Sequence, residues 1–250
     1  MNYKLEIIGF NIKSCFTAQE GGASRIELCA GPGEGGTTPS YAFIRSAREN
    51  LHIQLYVMIR PRGGDFLYSD EDFEMMKNDI EVCKQLNCDG IVTGILTKDG
   101  KVDKKRCSEL IAAAYPLEAT FHRAFDRVKD PFEALEDVIE LGFERILTSG
   151  LQSKAIDGVQ LLSQLIKQSD GRIIIMPGTG ITSQNIISIA ESTGATELHS
   201  SASFSEDTKM HYINPQMNES LNHVSVNIEE VKKMVQLLEA KKEMKSSFDF

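Results

Sequence analysis

The sequence predicts an α/β protein built as a single (β/α)8 barrel of the TIM type over residues 1–250. Eight short β-rich runs alternate with longer helical patterns almost to the end of the chain. No linker or compositional shift divides it. The competing doubly wound sheet would carry a glycine-rich dinucleotide turn after its first strand, and Gly9-Phe10-Asn11-Ile12 stands there instead. A nucleotide cofactor is therefore not expected.

Strands are predicted over 4–10, 25–30, 54–60, 90–96, 117–122, 145–149, 172–176 and 197–201. Ahead of the fourth, Ser69 caps a helix opening Asp70-Glu71-Asp72, which places acidic side chains at the positive end of the helix dipole. After the fifth, Asp130-Pro131 sets proline at a first helical position, and Gly142 follows that helix. Thr182 precedes a helix carrying Ile186, Ile187 and Ile189, which Gly194 closes. Residues 202–227 are polar and without periodicity, and read as a long loop, either functional or poorly ordered. Ile228, Val231, Val235 and Leu238 recur at helical spacing and form the last helix.

Composition narrows the function classes. The chain has 250 residues, 41% of them hydrophobic and 25% charged. Folding at this size hides about three quarters of the unfolded surface, so no staple is needed to hold a core. With 36 acidic and 27 basic side chains the net charge is −9, which argues against nucleic acid or an anionic membrane as the main partner. The longest aliphatic run, 173–176, is far too short to span a bilayer, and Met1-Asn2-Tyr3-Lys4-Leu5-Glu6 begins no signal peptide. Five cysteines without a CxxC suit a reduced, cytoplasmic protein.

Strand parity locates the candidate site. In five strands one alternating set is wholly apolar and faces the helices. The other set turns Glu6, Glu27, Arg60, His122, Glu197 and His199 toward the barrel axis. Barrel interiors are ordinarily filled with aliphatic side chains, and charges there are costly unless paired or solvated. Glu6 and Glu27 on neighbouring strands need a cation between them, and Arg60 on the next strand is the nearest candidate. Two readings stand: an ion-pair network that fixes strand register, or a site. Arg60 and His122 lie at the C-terminal ends of their strands, which favours the site.

The loops leaving those ends add to it. Arg60-Pro61-Arg62-Gly63-Gly64-Asp65-Phe66 sets two arginines before a tight turn, suited to gripping a carboxylate or phosphate. In His122-Arg123-Ala124-Phe125-Asp126, His122 is a candidate acid or base. Asp126 either holds its tautomer or pairs with an arginine. Pro177-Gly178-Thr179-Gly180 and Ser200-Ser201 leave the seventh and eighth strands, where many barrels seat a phosphate. The catalytic candidates are thus Glu6, Glu27, His122 and Asp126. The anion-binding candidates are Arg60, Arg62, Arg123, Ser149, Gly178, Gly180, His199 and Ser200.

Several strings carry a family resemblance. Glu20-Gly21-Gly22-Ala23-Ser24-Arg25-Ile26-Glu27-Leu28-Cys29, Glu34-Gly35-Gly36-Thr37-Thr38-Pro39-Ser40 and Met58-Ile59-Arg60-Pro61-Arg62-Gly63-Gly64-Asp65-Phe66 resemble the CutC family of copper homeostasis proteins. Thr120-Phe121-His122-Arg123-Ala124-Phe125-Asp126, Leu147-Thr148-Ser149-Gly150 and His199-Ser200-Ser201 continue the match in order, so that it spans the chain to about residue 214. The resemblance implies a cytoplasmic TIM-type barrel, a homodimer or larger homo-oligomer, and an association with copper. Cu(I) prefers thiolate and thioether ligands. Cys29 matches a cysteine the family carries on its second strand, while Ile8 stands where some relatives have another. Cys29 with Met58 is the copper pair the resemblance leaves. His122 and His199 have no clear partner set for zinc. Cys83 and Cys88, five residues apart, do not share a helical face.

Three functions follow as expectations. The chain binds copper ions and helps to control their level, or it is an enzyme using acid/base chemistry on a small anionic sugar or phosphorylated metabolite, or its rim and long loop bind another protein.

Overall fold

The computed structural model describes residues 3–246. Residues 1–2 and 247–250, which belong to the expected 1–250 domain and, at the N-terminus, to the segment inspected for a signal peptide, lie outside the described residues. Eight parallel strands form the barrel: β1 (Lys4–Gly9), β2 (Arg25–Leu28), β3 (Gln54–Met58), β4 (Gly90–Thr93), β5 (Glu118–Phe121), β6 (Arg145–Thr148), β7 (Ile174–Pro177) and β8 (Glu197–Ser200). Their hydrogen-bonded order runs from β7 down to β1 and on to β8, and β7 packs beside β8 across the seam. Between and after them come α1 (Ile12–Glu20), α2 (Tyr41–Asn50), α3 (Asp70–Gln85), α4 (Lys104–Ala114), α5 (Pro131–Glu140), α6 (Val159–Ser169), α7 (Ile186–Thr193) and α8 (Ile228–Ser246).

Local chemistry sets the helix ends. Ser69 accepts from the Asp72 N–H at 3.1 Å and Asp72 accepts from the Ser69 N–H, a reciprocal cap that satisfies two free donors. Asp130 accepts from the N–H groups of Phe132 and Glu133, and Pro131 follows it. The helix expected after Thr182 begins later, at Ile186. Asn185 accepts from the Thr182 N–H and donates to the Gly180 carbonyl, so the intervening residues form a turn.

The main core lies between the sheet and the helices. Ile7, Ile26, Leu55, Ile91, Phe121, Ile146 and Leu198 on the outward parity pack there among buried residues such as Ile44, Ile80, Leu110, Leu135, Leu162 and Ile189 of the helices. Burial stabilises each such aliphatic side chain by about 1.5–3 kcal/mol. Among the described residues no helix is long and apolar enough to cross a membrane.

Two expectations change. The loop over 202–227 contains an antiparallel hairpin, β9 (Ser203–Glu206) and β10 (His223–Val226). It is pinned to the start of α1: Asn11 donates to the Val224 carbonyl at 2.9 Å, and the Val226 N–H donates to Ser14 at 3.2 Å. Hydropathy conceals it because Ser203, Ser205 and Glu206 make up most of β9 and only Val224 and Val226 mark β10. Cys83 and Cys88 do meet. Asn87 takes a left-handed conformation (φ 55°) that folds the chain back after α3, and the Cys88 N–H donates to the Cys83 carbonyl at 3.0 Å.

Candidate functional site at the upper mouth of the barrel

The barrel lumen is built from alternating charges. Register places Glu6 beside Arg25 on one side and His199 on the other. At the lower end Arg145 reaches Glu118 and Glu197, each at 2.9 Å. Arg25 donates to Glu197 at 2.7 Å and to Glu6, which joins β8 to β2 across β1. The Tyr56 ring lies between the two guanidiniums, 4.8 Å from Arg25 and 5.2 Å from Arg145. Above them Glu6 Oε1 meets His199 Nδ1 at 2.7 Å, and His199 Nε2 stands 3.8 Å from Glu27 Oε2. Glu6, Glu27 and His199 thus converge within 4.8 Å. The two readings left open by parity divide by height, an ion-pair network below and a cavity-facing cluster above.

Burial and charge push these groups apart. Burial would raise the Glu6 carboxyl, but Arg25 and His199 outweigh it and hold it down at about 2. Glu27 has no arginine of its own. Burial lifts it to about 7, with His199 opposing and the Glu6 charge adding to the rise. Burial disfavours the His199 imidazolium, yet Glu27 and Glu6 raise its pKa above the ordinary value. Burial, aided by Arg60, lowers His122 to about 3, so its imidazole is neutral. Burial, then Glu27 and Glu6, keep the Cys29 thiol protonated.

A cavity of about 430 Å³ opens above this cluster. Its floor and walls include Ile8, Glu27, Met58, His122, Leu147 and His199, all on the inward parity, and Arg123, Arg127, Gly180 and Ser201 stand at its rim. Glycine is required at two points. A β-carbon at Gly178 would collide with Leu147 and crowd His199, while one at Gly36 (φ 99°) would lie 3.2 Å from Cys29 Sγ and 3.5 Å from Met58 Cε. The cysteine and methionine therefore meet at one spot, and Met58 faces the cavity.

Several candidate residues occupy other roles than those expected. Arg60 is not the cation between Glu6 and Glu27; Arg25 pairs with Glu6. Arg60 lines the cavity but spends its guanidinium on the carbonyls of Glu34, Gly36 and Gly64, which ties two rim loops together. Arg62 does not reach the cavity, because Asp65, Asp72 and the Leu67 carbonyl hold it in its own loop. Asp126 does not hold His122. It accepts from Arg123, Thr148, Ser149 and Leu151, and so takes the arginine-pairing role. Ser149 is buried and bonds to Asp126 and Arg123, off the cavity wall. Ser200 lies on the outward parity and donates to the Ile181 carbonyl at 2.7 Å, and Ser201 lines the cavity in its place. His122 accepts at Nδ1 from the Ala124 N–H and packs on Phe66, while its buried Nε2 has no partner.

Sequence reasoning missed Arg25, Arg145 and Arg127. Arg25 had a signal: it shares the inward parity of β2 with Glu27 and Cys29. His199 has the partners it lacked in the sequence, Glu6 and Glu27.

Comparison with known proteins agrees with this architecture. Residues 3–204 match the model of the CutC family. A copper homeostasis protein cutC homolog from Mus musculus is 50% identical over 223 residues, covering 88% of this chain and 82% of its own. A CutC family protein from Parabacteroides distasonis is 50% identical over 228 residues, 91% of this chain and 94% of that one. A solved CutC structure from Streptococcus agalactiae superposes with a TM-score of 0.77 at 34% identity, covering 80% of this chain and 98% of its own.

Proposed function

This chain belongs to the CutC family, and from that premise we propose that it serves in copper homeostasis by holding a copper ion at the upper mouth of its barrel. The observation that carries the reading is the meeting of Cys29 and Met58 against Gly36, behind the cavity wall to which Met58 belongs. A thiolate and a thioether are the soft donors Cu(I) selects. Ile8 lines the same cavity and supplies no donor, so Cys29 and Met58 carry the binding. Cys29 must give up its proton to bind, so affinity rises with pH. Anaerobic titration of Cu(I) against a competing chelator tests this. One ion per chain is expected, with at least a tenfold loss in Cys29→Ser; no binding above the chelator, or an indifferent variant, rejects it. The reading includes a reduced, cytoplasmic setting, supported by five buried, unpaired cysteines, and a homo-oligomeric assembly as the family resemblance implies.

A second reading, an enzyme acting on a small anionic metabolite, is favoured by the split between Glu6 and Glu27. A carboxylate held ionised, an imidazole oriented by it and a second carboxyl near neutrality are the parts of a proton relay. Arg127 at the rim supplies the counter-charge for an anionic substrate, beside Arg123, which is paired with Asp126. Crystals soaked in phosphate, sulfate or a sugar phosphate test it. Density between Arg127 and His199 is expected, and repeated absence of it rejects the reading.

A further inference from the structure

We propose that His199 and Glu27 form a binding site for one divalent transition-metal ion of the zinc or manganese kind, oriented by Glu6. The inference rests on taking the upper cavity as the functional site, and it deepens that reading by naming a resident ion.

The distance between the two side chains carries it. His199 Nε2 and Glu27 Oε2 are 3.8 Å apart, too far for a hydrogen bond. Two bonds of about 2.1 Å each to a shared ion, meeting at roughly 130°, leave that separation. Nε2 is also the nitrogen left over, since Nδ1 is engaged by Glu6 Oε1 at 2.7 Å. A ligating imidazole whose far nitrogen is held by a carboxylate is the common arrangement at metal centres, because the carboxylate sets the tautomer and the ring angle. Arg25 fixes that carboxylate in turn.

Two buried polar atoms point to something that fills the space. Glu27 is 1% exposed and its Oε1 has no hydrogen-bond partner. His122, which is not one of the three clustered residues, lines the same cavity at 2% exposure, and its Nε2 has none either. Leaving such atoms unpaired is costly, and an ion bound to the Glu27 carboxylate supplies a partner for that residue. An imidazole nitrogen and a carboxylate oxygen suit zinc or manganese, whereas Cu(I) seeks sulfur. The ion and a Cu(I) held by Cys29 and Met58 therefore depend on different side chains.

The full chain, stripped with chelator, is dialysed separately against Zn2+ and Mn2+ and its metal content measured. One ion per chain is expected for at least one of the two. Glu27→Gln and His199→Gln should each weaken binding at least tenfold, and Glu6→Gln by about 10–100-fold as a positioning residue. Cys107→Ser, at a buried cysteine of α4 that does not line the cavity, should leave the affinity within about twofold. Co2+ bound to the wild-type chain should show no sulfur charge-transfer band, a readout that needs no variant to fold. A chain that takes up neither ion, a Glu27→Gln variant with unchanged affinity, or a cobalt spectrum dominated by thiolate overturns the proposal. Cu(I) binding that survives without Zn2+ or Mn2+ binding rejects the divalent site and leaves the copper reading standing. The reverse result rejects only the copper reading.

Discussion

Arg25 on β2 donates to Glu197 on β8 at 2.7 Å, although β1 stands between their strands. It spans that gap because it also grips Glu6 on the intervening strand, so one guanidinium serves three strands of the ring. Side chains at both ends of the bridge are nearly inaccessible to water. The energy of such an arrangement lies less in its attraction than in what its loss leaves behind.

Replacing Arg25 with Met should therefore destabilise the chain by about 3–5 kcal/mol in urea unfolding, since the buried Glu6 loses its arginine and Glu197 keeps only Arg145 and Lys4. Adding Glu6→Gln and Glu197→Gln to that variant should recover at least half of the loss, because neutral amides need no counter-charge. A cost that stays the same in the triple variant would mean that packing around Arg25 matters and its charge does not.

The barrel was legible in the sequence because five strands alternate cleanly and several helices carry their own stop or start residue. Inward placement of Glu6, Glu27, His122 and His199 followed from the same alternation. What parity cannot convey is height along the barrel or where a long side chain ends. Arg60 starts on the inward face and yet turns up into the loops, drawn by three carbonyls that otherwise lack a strong donor. Arg25, two residues before Glu27 on β2, lies level with Glu6 through the register of β1 and β2. Ser200 and Ser201 show the limit at single-residue scale, since a shift of one position decides between the helix side and the cavity.

Glu27 and His122 should leave opposite marks on stability against pH. Glu27 has a folded pKa of about 7 against an ordinary 4.5, so the folded state keeps a proton that the unfolded chain releases. Stability from this group is greatest below 4.5 and falls by about 3 kcal/mol as pH rises to 7. His122 has a folded pKa of about 3 against an ordinary 6.5, so the unfolded chain takes up a proton first and stability falls as pH drops below 6.5. Between 4.5 and 6.5 the two slopes oppose each other in the wild type. Glu27→Gln removes one of them. Its stability should fall steadily as the solution is acidified below about pH 6.5, where the wild type changes little from this pair. Parallel pH curves for variant and wild type would show that Glu27 is ionised in the fold.

Arg127 provides the sharpest separation between rim residues that face the cavity and those that only resemble an anion clamp in sequence. It is exposed, lines the cavity and makes no ion pair among the described residues, so its charge is available. Arg62 carries the same group in a more conspicuous motif, but Asp65 and Asp72 already neutralise it and the Tyr68 ring supports it. Arg123 is unsuitable as a first test because removing it also strands the buried Asp126. If the cavity takes a small anion, Arg127→Ala should weaken phosphate or sulfate binding about tenfold, measured by calorimetry or by the anion-induced rise in melting temperature. Arg62→Ala should leave that affinity unchanged even where it loosens its own loop. Equal losses in the two variants would indicate a diffuse surface charge effect, which raising ionic strength would screen in both alike. A loss confined to Arg127 would place the anion at the rim, directly above His199 and Glu27.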